Sequence, residues 1–253
     1  MTGSPELRAA LEAAAAAASV IRECYARVVE VRLKADATPV TEADVRAEAA
    51  IRAVLGASFP DYAFFGEETG RHGSGDALWL VDPIDGTKAF VRGYPMFSTQ
   101  IALMKGGELV LGVSSAPLYG ELAWAERGQG AWLNGRPLRV SPVDTPEAAA
   151  LSTGNLKSLA SGPGWPRFGA LVARLNRIRG YGDFLHYHLL AGGRIDAVLE
   201  SDVNILDIAA LVTIVEEAGG RFTTLGGGRI GLESTSVLAT NGRLHAPLLA
   251  ALG

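Results

Sequence analysis

The stretch Trp79-Leu80-Val81-Asp82-Pro83-Ile84-Asp85-Gly86-Thr87 carries an apolar run straight into acid, and Ala63-Phe64-Phe65 does the same on meeting Gly66-Glu67-Glu68. Short apolar runs bounded in this way read as buried strands. Laid side by side, the two strands bring Glu67, Asp82 and Asp85 together at their carboxyl ends, where open α/β sheets place their sites. Three carboxylates that close repel one another and raise their own pKa values unless a cation neutralises them. Oxygen ligands without His or Cys nearby suit a hard ion, Mg²⁺ first, then Mn²⁺ or Ca²⁺.

The residues after the acids extend this reading. Pro83 fixes its own φ and has no amide to satisfy, so it sets a rigid bend between two ligands. Gly86 permits a tight turn, and Thr87 places a hydroxyl and an amide just beyond it. Residues 87–91 then open a helix, whose first amides form an anion cradle at Gly86 and Thr87. A cation beside a phosphate cradle is the layout of metal-assisted phosphoryl hydrolysis.

Gly66-Glu67-Glu68, Asp82-Pro83-Ile84-Asp85-Gly86-Thr87 and Leu206-Asp207-Ile208-Ala209-Ala210 together resemble the inositol monophosphatase family over nearly the whole chain. The resemblance implies a layered αβαβα sandwich of the α+β or α/β class and a Mg²⁺-dependent, lithium-sensitive phosphomonoesterase, often dimeric. By the same resemblance, Glu67, Asp82, the Ile84 carbonyl, Asp85 and Asp207 hold two or three Mg²⁺ ions, with Mn²⁺ a possible substitute. One departure is Leu206, where the family usually has Trp, which loosens the packing expected under the site.

Composition sets outer bounds. With 253 residues, 48% of them hydrophobic, the chain can bury one large domain or two intimately packed halves. A net charge of −4 offers no global attraction to nucleic acid or to an anionic membrane, so an anionic substrate needs local positive charge. Cys24 is the single cysteine, which excludes an intrachain disulfide and points to packing. The apolar run Ala13–Ile21 is too short to span a bilayer. Glu6 and Glu12 stand where a signal peptide would be basic. A cytoplasmic location is expected.

In chain order, residues 5–33 read as one amphipathic helix, capped by Ser4 and begun by Pro5. Leu7, Leu11, Ala14, Ala18, Ile21, Tyr25 and Val28 form its apolar stripe, for packing on a sheet or, alternatively, for an oligomer seam. A connector from Lys34 leads to a helix begun by Thr41 and running to about Ser58. Asp44 suits a capping box there. In the family an acid at this place pairs with the motif threonine to activate water, so the resemblance gives Asp44 and Thr87 that role, with Glu67 beside them. Lys34 matches a family lysine near the phosphate, or is a surface lysine. Arg71–Asp76 reads as a loop. Strands at Ser98–Leu103, Leu109–Ser114, Leu118–Ala125, Ala131–Leu133 and Leu138–Val140, with hairpin turns at Gly106-Gly107 and Asn134-Gly135, make an antiparallel sheet. Trp124 and Trp132 are expected on its face.

The Pro- and acid-rich segment Ser141–Glu147 marks a boundary between an N-terminal half, residues 1–145, and a C-terminal half, residues 146–253, that completes the site. The second half alternates a strand near Ala149–Ser152, helices near Pro166–Leu175 and Asp183–Ala191, and strand Ile195–Leu199 ending at Glu200. A helix at about Leu206–Ala218 stops at Gly219-Gly220. Strands Arg221–Thr224 and Ser236–Ala239 and a helix from Leu244 follow. Glu200 stands seven residues before Asp207, where inositol-specific members hold a substrate hydroxyl. Gly182-Asp183 and Pro39–Asp44 are more similar to the histidinol-phosphate phosphatase branch. His186 and His188 depart from that branch and read as packed or surface residues. Asp183 and Glu200 are the acids placed to read the alcohol end, although Asp183 also begins a helix.

The function these residues imply is hydrolysis of a small phosphate monoester by activated water. Inositol-monophosphatase-type activity is the general label, and inositol monophosphate or L-histidinol phosphate the substrate. The alternatives are a phosphatase for a sugar bisphosphate or adenosine bisphosphate, and a non-catalytic regulatory protein retaining the fold. The partners expected are the small phosphorylated alcohol and a second copy in a homodimer, without nucleic acid or membrane.

Overall fold

A computed structural model describes residues 3–26, 31–33 and 39–253. Ser4 caps α1 (Pro5–Tyr25) by accepting the Leu7 amide, and Pro5 opens its first turn. The helix ends short of the expected residue 33. Val31–Leu33 is instead a strand, β1, paired antiparallel with β2 (Pro39–Thr41) inside the expected connector. Val28 and Lys34 lie outside the described residues. Next come α2 (Glu42–Ser58), β3 (Ala63–Gly66), β4 (Gly70–His72), β5 (Ala77–Asp85), α3 (Thr87–Val91), β6 (Ser98–Lys105), β7 (Glu108–Ala116), β8 (Glu121–Glu126), β9 (Ala131–Leu133) and β10 (Arg136–Pro137).

β3 and β5 lie parallel, as the acid-tipped runs require, with Phe65 opposite Leu80 and Gly66 opposite Val81. Around them, among the described residues, forms an eight-stranded sheet ordered β10-β9-β8-β7-β6-β5-β3-β4. Both expected hairpins close. β4 is a strand inside the expected loop, because the turn after Gly66 folds the chain back on β3. The pairing expected at Leu138–Val140 falls instead at Arg136–Pro137. Leu138 and Val140 turn inward onto the core.

The second sheet holds β11 (Ala150–Thr153), β12 (Arg177–Arg179), β13 (Ala197–Ser201), β14 (Arg221–Thr223) and β15 (Ser236–Thr240), ordered β12-β11-β13-β15-β14. Its helices are α4 (Lys157–Ser161), α5 (Trp165–Val172), α6 (Asp183–Ala191), α7 (Ile205–Glu217) and α8 (His245–Leu252). Glu200 lies within β13 rather than at its end. Two elements escaped the sequence for lack of an apolar signal: β12 reads Arg-Ile-Arg at a sheet edge, and α4 buries no residue.

The cores show the layering. One joins α1 and α2 to the outer face of the large sheet, through Leu7, Ile21, Ile51, Trp79 and Ile101. A second fills both seams around α6 and α7, from Leu80 and Ala102 through Ile208 and Ile214 to Val198 and Val237. The third seats α5 and α8 on the far face of the small sheet. The order is helix, sheet, helix, sheet, helix, an α+β sandwich. Leu206 is buried in the middle core, filling the position where Trp was expected.

Candidate active site

The site begins where β5 leaves its regular ladder with β6. Asp82 pairs with Gln100 and Asp85 with Ser98, and the register shifts between them. Pro83, without an amide, tolerates this break, and a bulge at such a place re-aims side chains. The Ile84 amide donates to Asp82 Oδ1 at 2.9 Å, and Thr99 Oγ1 donates to the Pro83 carbonyl at 2.8 Å. Gly86 then turns at φ 97°, and a Cβ there would stand 2.5 Å from the Met96 carbonyl oxygen. Only glycine fits. Thr87 begins α3 directly after this turn.

Asp207 arrives from the middle layer. It sits in the first turn of α7 and accepts both the Asn204 amide at 3.0 Å and Asn204 Nδ2 at 2.7 Å. One carboxylate oxygen each from Asp82, Asp85 and Asp207 lie within 4.8 Å of one another. Glu67 is outside this tightest group and adjoins it at Asp82, on a turn whose amide donates to the Val81 carbonyl at 3.1 Å. Burial pushes the Asp82 carboxyl well above its ordinary range, and the charges of Glu67, Asp85 and Asp207 add to it. Asp85 is likewise pushed well up by burial, then by Asp183, Asp207 and Glu200. Asp207 rises to about 7, again through burial first, against the lowering effect of Asn204. Such a set, made only of hard oxygen donors and destabilised by its own charge, fits a divalent ion such as Mg²⁺.

Asp44 meets Thr87 here. Asp44 Oδ2 accepts the Thr41 amide at 2.8 Å and the Thr41 hydroxyl at 2.6 Å, completing the cap of α2. Its Oδ1 lies 3.1 Å from Thr87 Oγ1, which is also 3.0 Å from the Ile84 carbonyl. The single hydroxyl proton serves one of these acceptors at a time. Burial raises the Asp44 pKa, opposed by its hydrogen bonds to Thr41 and Thr87.

The alcohol-end acids come from the other sheet. Asp183 stands at φ 46° in the first turn of α6, and burial followed by the charge of Glu200 raises its pKa. Glu200 Oε2 accepts from Tyr187 Oη at 2.6 Å and lies 3.1 Å from His186 Nε2. With Nε2 carrying the proton, His186 Nδ1 faces the Ser152 hydroxyl at 3.4 Å as acceptor. His186 is therefore a packed residue that holds Glu200. Asp85, Asn155, Asp183, Tyr187, Glu200 and Asp207 all line one niche of ≈ 30 Å³.

His188 lies at the far end of a buried polar row. Its Nδ1 is 2.8 Å from Glu121 and its Nε2 2.9 Å from Ser114 Oγ. Gln100 Nε2 donates to Ser114 and Ser98, and Ser98 Oγ reaches Asp85 at 3.5 Å. Ser98, Gln100, Asn155 and Tyr187 carry no motif and went unnoticed in the sequence. Polar residues interrupting the otherwise apolar Phe97–Leu103 run were the available signal.

The sequence matches the profile of the Inositol monophosphatase family over residues 4–253. It is 43% identical over 231 residues to a histidinol-phosphatase of Mycobacterium tuberculosis, covering 87% of this chain and 86% of that protein. A histidinol-phosphatase of Chlorobaculum parvum is 37% identical over 252 residues, 99% of this chain and 97% of that one. Among solved structures, the extragenic suppressor protein suhB from Bartonella henselae superposes with a TM-score of 0.90 at 33% identity, covering 98% of both chains.

Proposed function

This chain belongs to the inositol monophosphatase family, and from that premise we propose that it is a Mg²⁺-dependent phosphomonoesterase whose substrate is L-histidinol phosphate. The observation that carries the reaction type is the convergence of Asp82, Asp85 and Asp207, with Glu67 adjoining and Thr87 held by Asp44.

Glu67, Asp82, the Ile84 carbonyl, Asp85 and Asp207 would hold two or three Mg²⁺ ions, Mn²⁺ being a substitute. When bound, the metal acidifies the attacking water and neutralises the leaving alkoxide. The chain does the rest. Thr87 Oγ1 takes the proton from water and passes its own to Asp44 Oδ1, with Glu67 serving beside them as a ligand to the ion. The amides of Gly86 and Thr87 orient the phosphate oxygens. Residues 1–145 supply this phosphate end, and residues 146–253 complete the site with Asp207 and the alcohol-end acids.

For the alcohol, Asp183 and Glu200 set the sign. A carboxylate accepts from a neutral hydroxyl but gains more from an amine, through a charge-assisted hydrogen bond. Burial and then the charge of Glu200 raise the Asp183 pKa, and the charge of Asp183 in turn raises that of Asp85. This cluster favours an aminoalcohol phosphate over a neutral polyol. The names of the M. tuberculosis and C. parvum relatives support the same choice. Inositol monophosphate is the second reading, because Glu200 alone suits a hydroxyl.

Comparing kcat/KM for histidinol phosphate and inositol monophosphate under excess Mg²⁺ decides between them. Asp183→Asn should shift that ratio toward the polyol, by about tenfold for one lost charge-assisted bond. An unchanged ratio in Asp183→Asn and Glu200→Gln would remove both acids from the specificity pocket. Lithium inhibition, a homodimer and a cytoplasmic location belong to this proposal through family resemblance. Light scattering on the purified chain reads the dimer. Among the described residues no helix is long and apolar enough to cross a membrane.

A further inference from the structure

Glu48 is a carboxylate that neither the motif nor the mechanism above uses, yet it is only 1% exposed. It lies on α2 one turn beyond Asp44. Among the described residues no lysine or arginine pairs with it. Its two oxygens accept backbone amides instead: Oε2 from Glu68 at 2.8 Å and Oε1 from Thr69 at 2.9 Å. These are the two amides that follow Glu67. On the other side, a Cβ added to Gly66 would stand 2.5 Å from Glu48 Cδ and Oε2, so the residue before Glu67 is pressed against the same carboxylate.

Burying a charge without a cation is costly unless hydrogen bonds satisfy it. Here the satisfied group is the turn that carries Glu67. That turn has work to do, because the charges of Glu67 and Asp82 oppose each other.

We infer that Glu48 is a positioning residue of the metal site, clamping Gly66–Thr69 so that Glu67 stays in ligating position before the ion arrives. The inference rests on the metal-site reading above. Its effect is on Mg²⁺ affinity rather than on the chemical step, since both Glu48 oxygens are taken by the Glu68 and Thr69 amides.

The test is calorimetric Mg²⁺ titration of the full chain without substrate, comparing wild type, Asp82→Asn, Glu48→Gln and Gly66→Ala. A glutamine presents an NH₂ group where the second amide needs an acceptor, and the alanine Cβ displaces the Glu48 carboxylate. Both variants should bind Mg²⁺ on the order of 10- to 100-fold more weakly, the range for a residue that orients a ligand. The Glu68 and Thr69 amides should exchange hydrogen faster in the metal-free variants. Turnover at saturating Mg²⁺ should recover toward wild type, with only the half-saturating Mg²⁺ concentration raised. If Glu48→Gln does not fold, the same readouts on Gly66→Ala decide. Mg²⁺ affinity within about twofold of wild type overturns the inference even where melting temperature falls, because packing alone then explains Glu48. Absence of Mg²⁺ binding in wild type instead overturns the metal-site reading itself.

Discussion

At Asp44 one carboxyl is divided between two structures, with Oδ2 on the Thr41 cap and Oδ1 on the Thr87 hydroxyl. The substitution Asp44→Asn separates them, since an amide oxygen still accepts the Thr41 amide but cannot take a proton. We expect its melting temperature to stay within a few degrees of wild type while kcat falls about 100-fold or more, the usual worth of a positioned base. Thr87→Ala should lower kcat similarly with little change in KM. A loss that tracks thermal stability alone would leave Asp44 a cap and nothing else. Asp82 is different in kind, because it sits at the centre of the acid group. Asp82→Asn should cost on the order of 1,000-fold in Mg²⁺-dependent turnover, beyond the range of an orienting residue. Near-normal turnover by that variant, or by wild type in excess chelator, would remove the ion from the mechanism.

α7 decides the position of Asp207 by how closely it approaches the large sheet. It comes close at Gly112 on β7, where an added Cβ would overlap the Ala210 carbonyl. The helix is otherwise almost entirely apolar, with Ile205 through Val215 buried except Asp207, so packing rather than polar contacts locates it. Gly112→Ala must push the helix outward, and overpacking of this kind costs about 1–3 kcal/mol. Because Asp207 rides on the first turn, the same variant should also raise the Mg²⁺ concentration needed for half-maximal activity. Urea unfolding reads the first effect and a Mg²⁺ titration of rate the second. Loss of stability with an unchanged Mg²⁺ requirement would mean that Asn204, through its two bonds to Asp207, holds the acid independently of the helix.

Across the whole molecule, the acids come from separate layers: Glu67, Asp82 and Asp85 from the large sheet, Asp207 and Asp183 from the middle helices, and Glu200 from the small sheet. Folding therefore gathers charges that the unfolded chain keeps apart. A carboxyl whose pKa rises on folding keeps its proton after the unfolded chain has lost it. The stability tied to that proton is complete below about 3.8, and for Asp207 it is lost as pH rises through about 7. Asp82 and Asp85 shift in the same direction. Without divalent ions, the contribution of this cluster to stability should thus fall between about pH 4 and pH 8. Mg²⁺ takes the place of the protons, so its stabilising effect should be larger near pH 8 than near pH 5. Thermal unfolding with chelator and with excess Mg²⁺ at both pH values measures this difference. An equal Mg²⁺ shift at the two would place the ion elsewhere.

Much of this was open to reading residue by residue. The caps at Ser4 and Thr41, the paired acid-tipped strands, the two hairpins and the stop of α7 at Gly219-Gly220 all follow from contacts between residues close along the chain. Dihedral preference and apolar period decide such contacts locally, which is why they appear in the sequence. The edge strands β4, β10 and β12 carry no such period, because polar side chains at a sheet edge cost little and leave no pattern. Contacts between distant residues were beyond reach for another reason. Glu48 meets the amides of Glu68 and Thr69 twenty and twenty-one residues away, and His188 meets Ser114 across 74. Nothing local distinguishes these side chains from a solvated glutamate or a surface histidine. The packing of α2 and α6 against the large sheet buries them, and burial is what obliges a polar group to find its partner.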